Sequence, residues 1–302
     1  LSDMDARALI VAAGDDSHAI EVARSRGTPI IEVMTSGEDR AGRFSLCGEA
    51  SLPAAQSAVA QPDDLALLLH TSGTTDRPKM VPLTHRNLCA SAESIRRSLQ
   101  LTASDRCLNV MPLFHIHGLV ASLLATLSAG ASFVCTPGFV APQFFGWLAT
   151  HRPTWYTAVP TMHQAILARA AENHATIEQG DLRFIRSCSA ALAPQLMAEL
   201  ERTFNTPVTE AYGMTEAAHQ MTCNPLPPGI RKPGSTGVAA GPELAIMAEG
   251  SNRIAPPGEI AEVVIRGPNV MDGYIDRPEA NAAAFIDGWF RTGDQGYLDE
   301  DG

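Results

Sequence analysis

Short apolar runs alternate with amphipathic stretches along most of this sequence, and this alternation limits the possible folds more than any other feature. Apolar runs occur at 8–12, 29–33, 65–69, 107–111, 131–135, 155–159, 182–187 and 208–211. Helical spacing fills 19–26, 84–99, 144–150, 160–171 and 194–204, and Thr84 is placed to cap the second of these helices. Strands separated by helices form βαβ units. We therefore expect an α/β fold with parallel sheets and flanking helices.

The pattern changes after residue 223. Proline and glycine cluster over 224–241, and short β-like runs follow at 244–247, 260–266 and 296–298. Helical spacing returns only near 279–285. The sequence thus predicts α/β subdomains over 1–223 and a smaller β-rich subdomain over 224–302, joined tightly because no low-complexity linker separates them.

Charge and cysteine usage narrow the class of protein. The formal net charge of −11 argues against a nucleic-acid partner, which selects a basic face. Six scattered cysteines without a C-x-x-C pair fit neither a zinc site nor a disulfide framework, so a reducing, cytoplasmic setting is expected.

Residues 118–135 are uncharged, but Gly130 divides them, which favours a buried helix and a buried strand over a membrane span. No signal peptide is predicted at Leu1, and both ends of the chain look cut.

A hydroxyl-rich loop follows the apolar run at 65–69. Its polar residues are Thr71, Ser72, Gly73, Thr74, Thr75 and Lys79. Hydroxyls and open backbone N–H groups can surround a triphosphate, and a lysine adds positive charge, so this composition suits a phosphate-binding loop. The loop matches neither the Walker pattern nor the dinucleotide fingerprint, and a surface turn rich in serine and threonine is the alternative.

Four further segments follow the loop in order: MPLFHIHG at 111–118, SCSAAL at 187–192, YGMTE at 212–216 and WFRTGD at 289–294. Together with the loop they resemble the motifs of the adenylate-forming enzymes, the superfamily of acyl-CoA synthetases, peptide-synthetase adenylation domains and firefly-type luciferases. The resemblance covers nearly the whole chain and is dense from about residue 65 onward. It implies the large N-terminal domain of that fold.

The resemblance implies a role for each matching residue in handling ATP. The loop would wrap the β- and γ-phosphates, with Thr71 and Lys79 catalytic. Thr215 would bond the α-phosphate, and Glu216 would hold Mg²⁺, a hard cation that prefers carboxylate oxygen. Tyr212 would lie against the adenine.

The remaining nucleotide contacts are implied in the same way. Asp294 would accept the ribose hydroxyls, a role that suits a carboxylate. The other nucleotide-binding positions would be Ser189, Ala190, Ala191, Gly213 and Met214. Asp76 and Met80 depart from the family pattern, which commonly has glycine there, and Asp76 must point away from the phosphates or bind metal. The segments GE at 258–259, RGP at 266–268 and MDGY at 271–274 are interpreted as structural.

The strings WYTAVPTMHQ, RFIRSCSAALAP and EAYGMTEAAHQM resemble the small-acid branch typified by oxalate–CoA ligases. A short diacid needs a polar pocket with donors for its second carboxylate. The candidate substrate residues are His115, His117, Ser187 or Ser189, and His219. His115 is preferred over His117 because it occupies the matching family position, and a helix-surface residue is the alternative for His219.

The resemblance implies an ATP-dependent acid–CoA ligase that works through an acyl-adenylate, with CoA as co-substrate. The alternatives are a fatty-acyl or aryl-CoA ligase, a carrier-protein-linked adenylation domain, and a nucleotide-binding protein without turnover. Family members continue into a small mobile C-terminal domain whose lysine contacts the adenylating carboxylate. We therefore expect this chain alone to bind nucleotide but to adenylate poorly. The sequence leaves the oligomeric state open.

Overall fold

The computed structural model describes residues 4–36, 42–48, 59–71, 78–248 and 250–302. The predicted phosphate-binding residues Ser72, Gly73, Thr74 and Thr75, together with Asp76, lie outside these ranges. The chain forms two compact units, Leu1–Ala60 and Gln61–Gly302.

The first unit is a small α/β layer. Its elements are β1 (Leu9–Ala12), α1 (His18–Ser25), β2 (Ile30–Met34) and β3 (Ser45–Gly48). Strands β1 and β2 are parallel, as expected for a βαβ unit, and β3 pairs antiparallel with β2. The helix buries Ile20 and Ala23, one turn apart on the same face.

The second unit begins with an antiparallel hairpin of β4 (Leu65–His70) and β5 (Met80–Thr84), and the predicted phosphate loop joins the two strands. The loop is closed at its base, where the Thr71 N–H donates to the Lys79 carbonyl at 3.0 Å. Helix α2 (His85–Ser98) follows, and Thr84 caps it as predicted. The Asn87 N–H donates to Thr84 Oγ1 at 3.2 Å, while the Thr84 N–H donates to Asn87 Oδ1 at 2.8 Å.

The main sheet runs in the order β12-β11-β10-β9-β8-β6-β7 in the described part of the chain. Its strands are β6 (Arg106–Asn109), β7 (Ser132–Cys135), β8 (Trp155–Ala158), β9 (Phe184–Ser187), β10 (Val208–Met214), β11 (His219–Cys223) and β12 (Val238–Ala239). The strands from β6 to β10 are mutually parallel, which confirms the predicted α/β class, and β11 and β12 extend the sheet antiparallel beyond β10.

Helices cover both faces of this sheet. They are α3 (Ala125–Ser128), α4 (Phe144–His151), α5 (Pro160–Leu167), α6 (His174–Glu178) and α7 (Pro194–Phe204). One core includes Ile95 of α2 with Trp155 and Phe184, whose rings stack at 5.3 Å. A second core packs α4, α5 and α7 on the opposite face, against Tyr156 and Ile185. The alternation of Trp155 and Tyr156 between the two cores follows from the two-residue period of a strand.

The uncharged stretch at 118–135 departs from its prediction in one respect. A π-helix, His117–Leu124, precedes the short helix α3, in place of one regular α-helix. Strand β7 follows as expected, but its end residues Ser132 and Cys135 are exposed. π-Helical turns occur frequently at functional sites. His117 begins this one.

The strand order creates a topological switch point between β6 and β8. The chain leaves β6 toward β7 and then returns to the other side of β6 as β8. In open α/β sheets, ligands bind at the carboxyl ends of the strands beside such a point. The segment carrying His115 and His117 follows β6, and Thr157 lies near the end of β8.

The C-terminal part contains a four-stranded antiparallel sheet in the order β13-β14-β16-β15. Its elements are β13 (Glu243–Met247), β14 (Ala261–Arg266), α8 (Pro278–Ala284), β15 (Phe285–Ile286) and β16 (Trp289–Gly296). The sequence predicted a β-like run at 296–298, whereas the strand is longer and ends at Gly296. Across the described residues, every helix is too short or too polar to cross a membrane.

Candidate active site

A cluster of polar side chains is buried at the switch point. His117 is fully buried, and its Nε2 lies 2.6 Å from Thr157 Oγ1. Its Nδ1 lies 3.0 Å from the hydroxyl oxygen of Ser189, an exposed residue just beyond the end of β9. The rings of His117 and His219 are 5.2 Å apart between centroids. The structure therefore brings three of the predicted acid-binding residues together at the carboxyl ends of the strands.

His219 is not a helix-surface residue. It is 2% exposed and begins β11, where its backbone has φ +101°. Its Nδ1 has no hydrogen-bond partner among the described residues. A buried polar atom without a partner in a native protein usually indicates strain, a bound ligand or a functional role.

His115 differs from its neighbour because it is exposed at the edge of the cluster. The His117 backbone N–H donates to His115 Nδ1 at 3.1 Å, so that nitrogen is an acceptor. The neutral ring therefore carries its proton on Nε2, where it can donate to a ligand. The ring is nevertheless partly desolvated by its neighbours, and this desolvation lowers the pKa of His115 and favours the neutral form.

Arg186 is the charged member of the cluster, and it was not among the predicted site residues. It is fully buried in β9, and its guanidinium donates to Thr157 Oγ1 at 3.4 Å and to Gln220 Oε1 at 3.2 Å. Its Nε–H has no partner among the described residues, and none of their ion pairs includes Arg186. Buried charges are normally paired, so an unpaired guanidinium marks a place where an anion would be stabilised.

The electrostatics of the cluster keep its histidines neutral. Burial lowers the pKa of His117 and of His219 well below the usual histidine value, and the nearby Arg186 charge lowers both further. Neutral imidazoles can accept as well as donate hydrogen bonds. At neutral pH the cluster thus holds one positive charge and two uncharged rings, an arrangement suited to a small anionic ligand.

A second group of predicted residues lies at the end of β10. The Tyr212 hydroxyl donates to Asp294 Oδ2 of β16 at 2.5 Å, so the predicted adenine and ribose residues touch. Burial, followed by this bond, raises the pKa of Tyr212. A cavity of about 500 Å³ lies beside these residues and is also lined by Thr222, Val263 and Tyr297. That volume is within the range of small-molecule sites.

Gly213 allows the turn that carries this motif to form. A Cβ at this position would lie 1.7 Å from the His219 carbonyl oxygen, so only glycine fits. The pairing of β10 with β11 shifts register between Tyr212 and Gly213. The next residues, Thr215–Ala217, form a 3₁₀ turn that returns the chain into β11. The close approach at Gly213 therefore places His219 in the buried cluster.

Glu216 and Lys79 share Tyr274 as a neighbour. The Tyr274 hydroxyl donates to Glu216 Oε1 at 2.8 Å, and Lys79 Nζ lies 4.9 Å from the centre of the Tyr274 ring. Burial, followed by the charge of Glu216, raises the pKa of Tyr274. Tyr274 was interpreted from sequence as purely structural, yet it connects the base of the phosphate loop to the predicted metal ligand.

Mg²⁺ fits this environment by its donor chemistry. Mg²⁺ is usually bound by one or two carboxylates together with substrate phosphates, and it retains several waters. Among the described residues Glu216 Oε1 is engaged by Tyr274, while Oε2 makes no hydrogen bond. The described part of the chain contains no group of three or more acidic, histidine or cysteine side chains that could hold a metal ion.

The remaining predicted positions are Ser187, Ala190, Ala191 and Met214. Ser187 is fully buried, and its hydroxyl has no hydrogen-bond partner in the described part of the chain, so Ser189 rather than Ser187 joins the histidines. Ala190 and Ala191 are exposed after β9, and Met214 is half-buried at the end of β10. Sequence reasoning missed Arg186, Thr157 and Gln220. The signal for Arg186 is a single arginine within the short buried strand FIRS.

Comparisons with known proteins agree on one family. The family model described as AMP-binding enzyme matches residues 1–275. An oxalate–CoA ligase of Arabidopsis thaliana is 47% identical over 308 residues, covering 100% of this chain and 59% of that protein. A sulfoacetate–CoA ligase of Cupriavidus necator is 42% identical over 258 residues, covering 83% of this chain and 50% of that protein.

Solved structures give the same result for the fold. The crystal structure of ATP-bound MatB from Rhodopseudomonas palustris matches with a TM-score of 0.82 at 30% identity, covering 98% of this chain and 57% of that one. The predicted N-terminal-domain fold is thereby confirmed. The chain spans between 50% and 59% of the length of these three relatives.

Proposed function

This chain belongs to the family of AMP-binding enzymes, and we propose that it is the nucleotide- and acid-binding part of an ATP-dependent acid–CoA ligase. In the proposed reaction, a carboxylate oxygen attacks the α-phosphorus of ATP, and the bond to the leaving pyrophosphate breaks. The CoA thiol then attacks the acyl-adenylate carbonyl, loses its proton and releases AMP. The overall similarity to oxalate–CoA and sulfoacetate–CoA ligases supports this reaction class.

We propose a short acid with a second anionic group, such as oxalate, as the substrate. The observation that carries this proposal is the buried guanidinium of Arg186, whose side-chain partners Thr157 and Gln220 are neutral and whose charge acts on neutral His117 and His219. A fatty acid needs an apolar tunnel, and burying its chain against this polar cluster would leave hydrogen-bonding groups unsatisfied. Oxalate and sulfoacetate, for which two relatives are named, both carry a second anionic group.

The nucleotide-side residues have proposed roles in the first step. Tyr212 would contact the adenine, Asp294 would accept hydrogen bonds from the ribose hydroxyls, and Thr215 would donate to the α-phosphate. Thr71 and Lys79, at the two ends of the phosphate loop, would donate to the phosphates and position them. The bond between Tyr212 and Asp294 already aligns the carboxylate beside the ring.

Glu216 is the proposed magnesium ligand, with Oε1 held by Tyr274. When bound, Mg²⁺ would supply neutralisation of the phosphate charge. We also propose a reducing, cytoplasmic setting, which the six unpaired cysteines support.

The test is ATP–pyrophosphate exchange by the protein that carries this chain, with oxalate, hexanoate and a cinnamate as alternative acids. We expect exchange with oxalate to exceed exchange with either monocarboxylate by more than about tenfold, the factor that one charge-assisted contact provides. Ser189→Ala should raise KM for oxalate, while the control Ser251→Ala, which changes an exposed serine of a surface turn, should not. Faster exchange with hexanoate or the cinnamate would show that the substrate is a fatty or aryl acid and not a diacid. Exchange with no acid would contradict the ligase.

A further inference from the structure

The hydrogen bonds around His117 form a continuous chain from the buried strand to the surface. Arg186 contacts Thr157 Oγ1, Thr157 Oγ1 contacts His117 Nε2, and His117 Nδ1 contacts Ser189 Oγ. Arg186, Thr157 and His117 are fully buried, whereas Ser189 is exposed. This series of hydrogen bonds therefore has the Arg186 guanidinium at its inner end and the exposed Ser189 residue at its outer end.

Chemistry fixes the donor at the inner end of this series of hydrogen bonds, and the remaining directions follow if the Thr157 hydroxyl hydrogen is used within the series. A guanidinium only donates, so Thr157 Oγ1 accepts from Arg186. Oγ1 has a second lone pair, so the arrangement that uses the Thr157 hydroxyl hydrogen within this series is the one that directs it to His117 Nε2, 2.6 Å away, with Nε2 as the acceptor. A neutral imidazole with an accepting Nε2 carries its proton on Nδ1 and donates it to Ser189 Oγ. Ser189 Oγ then accepts from His117, which leaves its own hydrogen for another acceptor, and the neighbouring Cys188 thiol is one such acceptor.

Gln220 fixes the other side of the guanidinium. Its Nε2 donates to Ser98 Oγ at 3.1 Å and to the Ala240 carbonyl at 2.8 Å, which assigns Oε1 as the atom facing Arg186. Oε1 therefore accepts from the second guanidinium nitrogen at 3.2 Å. Both partners of Arg186 are neutral acceptors. No negative charge on these partners neutralises the Arg186 charge, so this charge polarises the hydrogen bonds that run from Thr157 through His117 to Ser189.

We propose that Arg186 is a positioning residue that acts through Thr157 to hold His117 in the Nδ1–H tautomer, so that Ser189 presents its O–H to the anionic acid. This inference rests on the proposed function and adds the device by which the acid-binding donor is oriented. His115, whose Nδ1 accepts from the backbone, presents its Nε2–H as a second donor at the exposed edge. The ligand class is a small carboxylate with a further anionic group.

A purely structural role for Arg186 predicts different behaviour. An arginine that only ties β9 to β11 through Gln220 would affect stability, but it would leave the tautomer of His117 and the affinity for the acid unchanged. Lysine can replace the donor and the charge of arginine but not its forked geometry. Arg186→Lys is therefore the conservative variant, and Arg186→Met removes both donor and charge at similar size.

The first measurement is the tautomer of His117, read from long-range ¹H–¹⁵N correlation spectra of the ¹⁵N-histidine-labelled chain. The His117 signal is assigned by its loss in His117→Gln. We expect the Nδ1–H pattern in the wild type and in Arg186→Lys, and a shift toward Nε2–H in Arg186→Met. Thr157→Val retains Arg186 but removes the hydroxyl that links it to His117, so it should shift the His117 tautomer in the same way. This variant takes the place of Arg186→Met if Arg186→Met does not fold. An Nε2–H wild type, or unchanged tautomers in both variants, would overturn the proposal.

The second measurement separates the acid from the nucleotide. In ATP–pyrophosphate exchange, Arg186→Met should raise KM for oxalate about tenfold, the equivalent of one lost charge-assisted interaction, and leave KM for ATP within about twofold. Arg186→Lys should restore most of the oxalate affinity. Equal KM values for oxalate in the wild type and in Arg186→Met would refute the positioning role while the ligase stands. If the wild-type protein supports exchange with no acid, the proposed function itself is wrong. The tautomer spectra then still show whether Arg186 determines the tautomer of His117.

Discussion

Thr157 links Arg186 to His117 through its hydroxyl, and removing this hydroxyl tests the polar cluster most directly. Its hydroxyl makes one short contact, 2.6 Å to His117 Nε2, and one long contact, 3.4 Å from Arg186. Thr157→Val keeps the shape of the side chain and deletes both contacts. Each intramolecular hydrogen bond contributes about 1 kcal/mol net, and a buried polar atom left without a partner costs about 1–3 kcal/mol. In the free energy of unfolding, the 2.6 Å bond is given its full value and the 3.4 Å contact only a small part of that value.

The expected loss in the free energy of unfolding is about 2–3 kcal/mol, which for a chain of this size lowers Tm by roughly 4–8 °C. Thr157→Ser is the matched control, since it retains the hydroxyl and removes one methyl group, at a cost of about 1 kcal/mol. Urea unfolding followed by circular dichroism gives both values, provided that the two variants keep the wild-type dependence on urea. If Thr157→Val is as stable as Thr157→Ser, the hydroxyl does not hold the buried histidine and the chain of contacts is wrong.

Three further predictions concern the framework of the site. Gly213→Ala should destabilise the protein by more than about 3 kcal/mol, because its Cβ would lie 1.7 Å from a backbone carbonyl oxygen; a stable variant in thermal unfolding would contradict this. Asn87→Ala should cost about 2–3 kcal/mol, because Asn87 closes a capping box and its Nδ2 donates to the carbonyls of Pro268 and Val270, the second of them buried, measured against the exposed control Asn252→Ala. Burial lowers the pKa of His163 to about 4, so the unfolded chain gains a proton first as pH falls through about 6.5, and His163 alone should remove about 3 kcal/mol of stability by pH 4, beside the contributions of His117 and His219. His163→Gln should reduce this fall in urea unfolding at both pH values, and an unchanged fall would refute the assignment.

The order of the elements could be predicted from the sequence because hydrophobic periodicity and caps are local signals. The helix Pro194–Phe204 has the predicted bounds, and Thr84 caps α2 as its position before an amphipathic run predicts. The π-helical turns of His117–Leu124 were not predictable, since an uncharged apolar stretch has no periodicity that separates π from α geometry.

The motifs predicted most residues of the candidate site, but the partners of these residues depend on strand register. Arg186 meets Thr157 only because β8 and β9 pair in parallel with these two residues opposite each other. Their separation along the chain gives no local signal of that contact. The same holds for Tyr274, whose hydroxyl reaches Glu216 across 58 residues of sequence. Family motifs indicate candidate ligand contacts, and the structure adds their buried neighbours Arg186, Thr157 and Tyr274.

The most direct test of the central claim is AMP formation from ATP by the protein that carries this chain, measured with oxalate and CoA present. We predict AMP and oxalyl-CoA in equal amounts, dependent on oxalate, with far less product from hexanoate. AMP formation with hexanoate but not oxalate would contradict the acid assigned to the Arg186 cluster, and absence of AMP with every acid would contradict the ligase assignment itself.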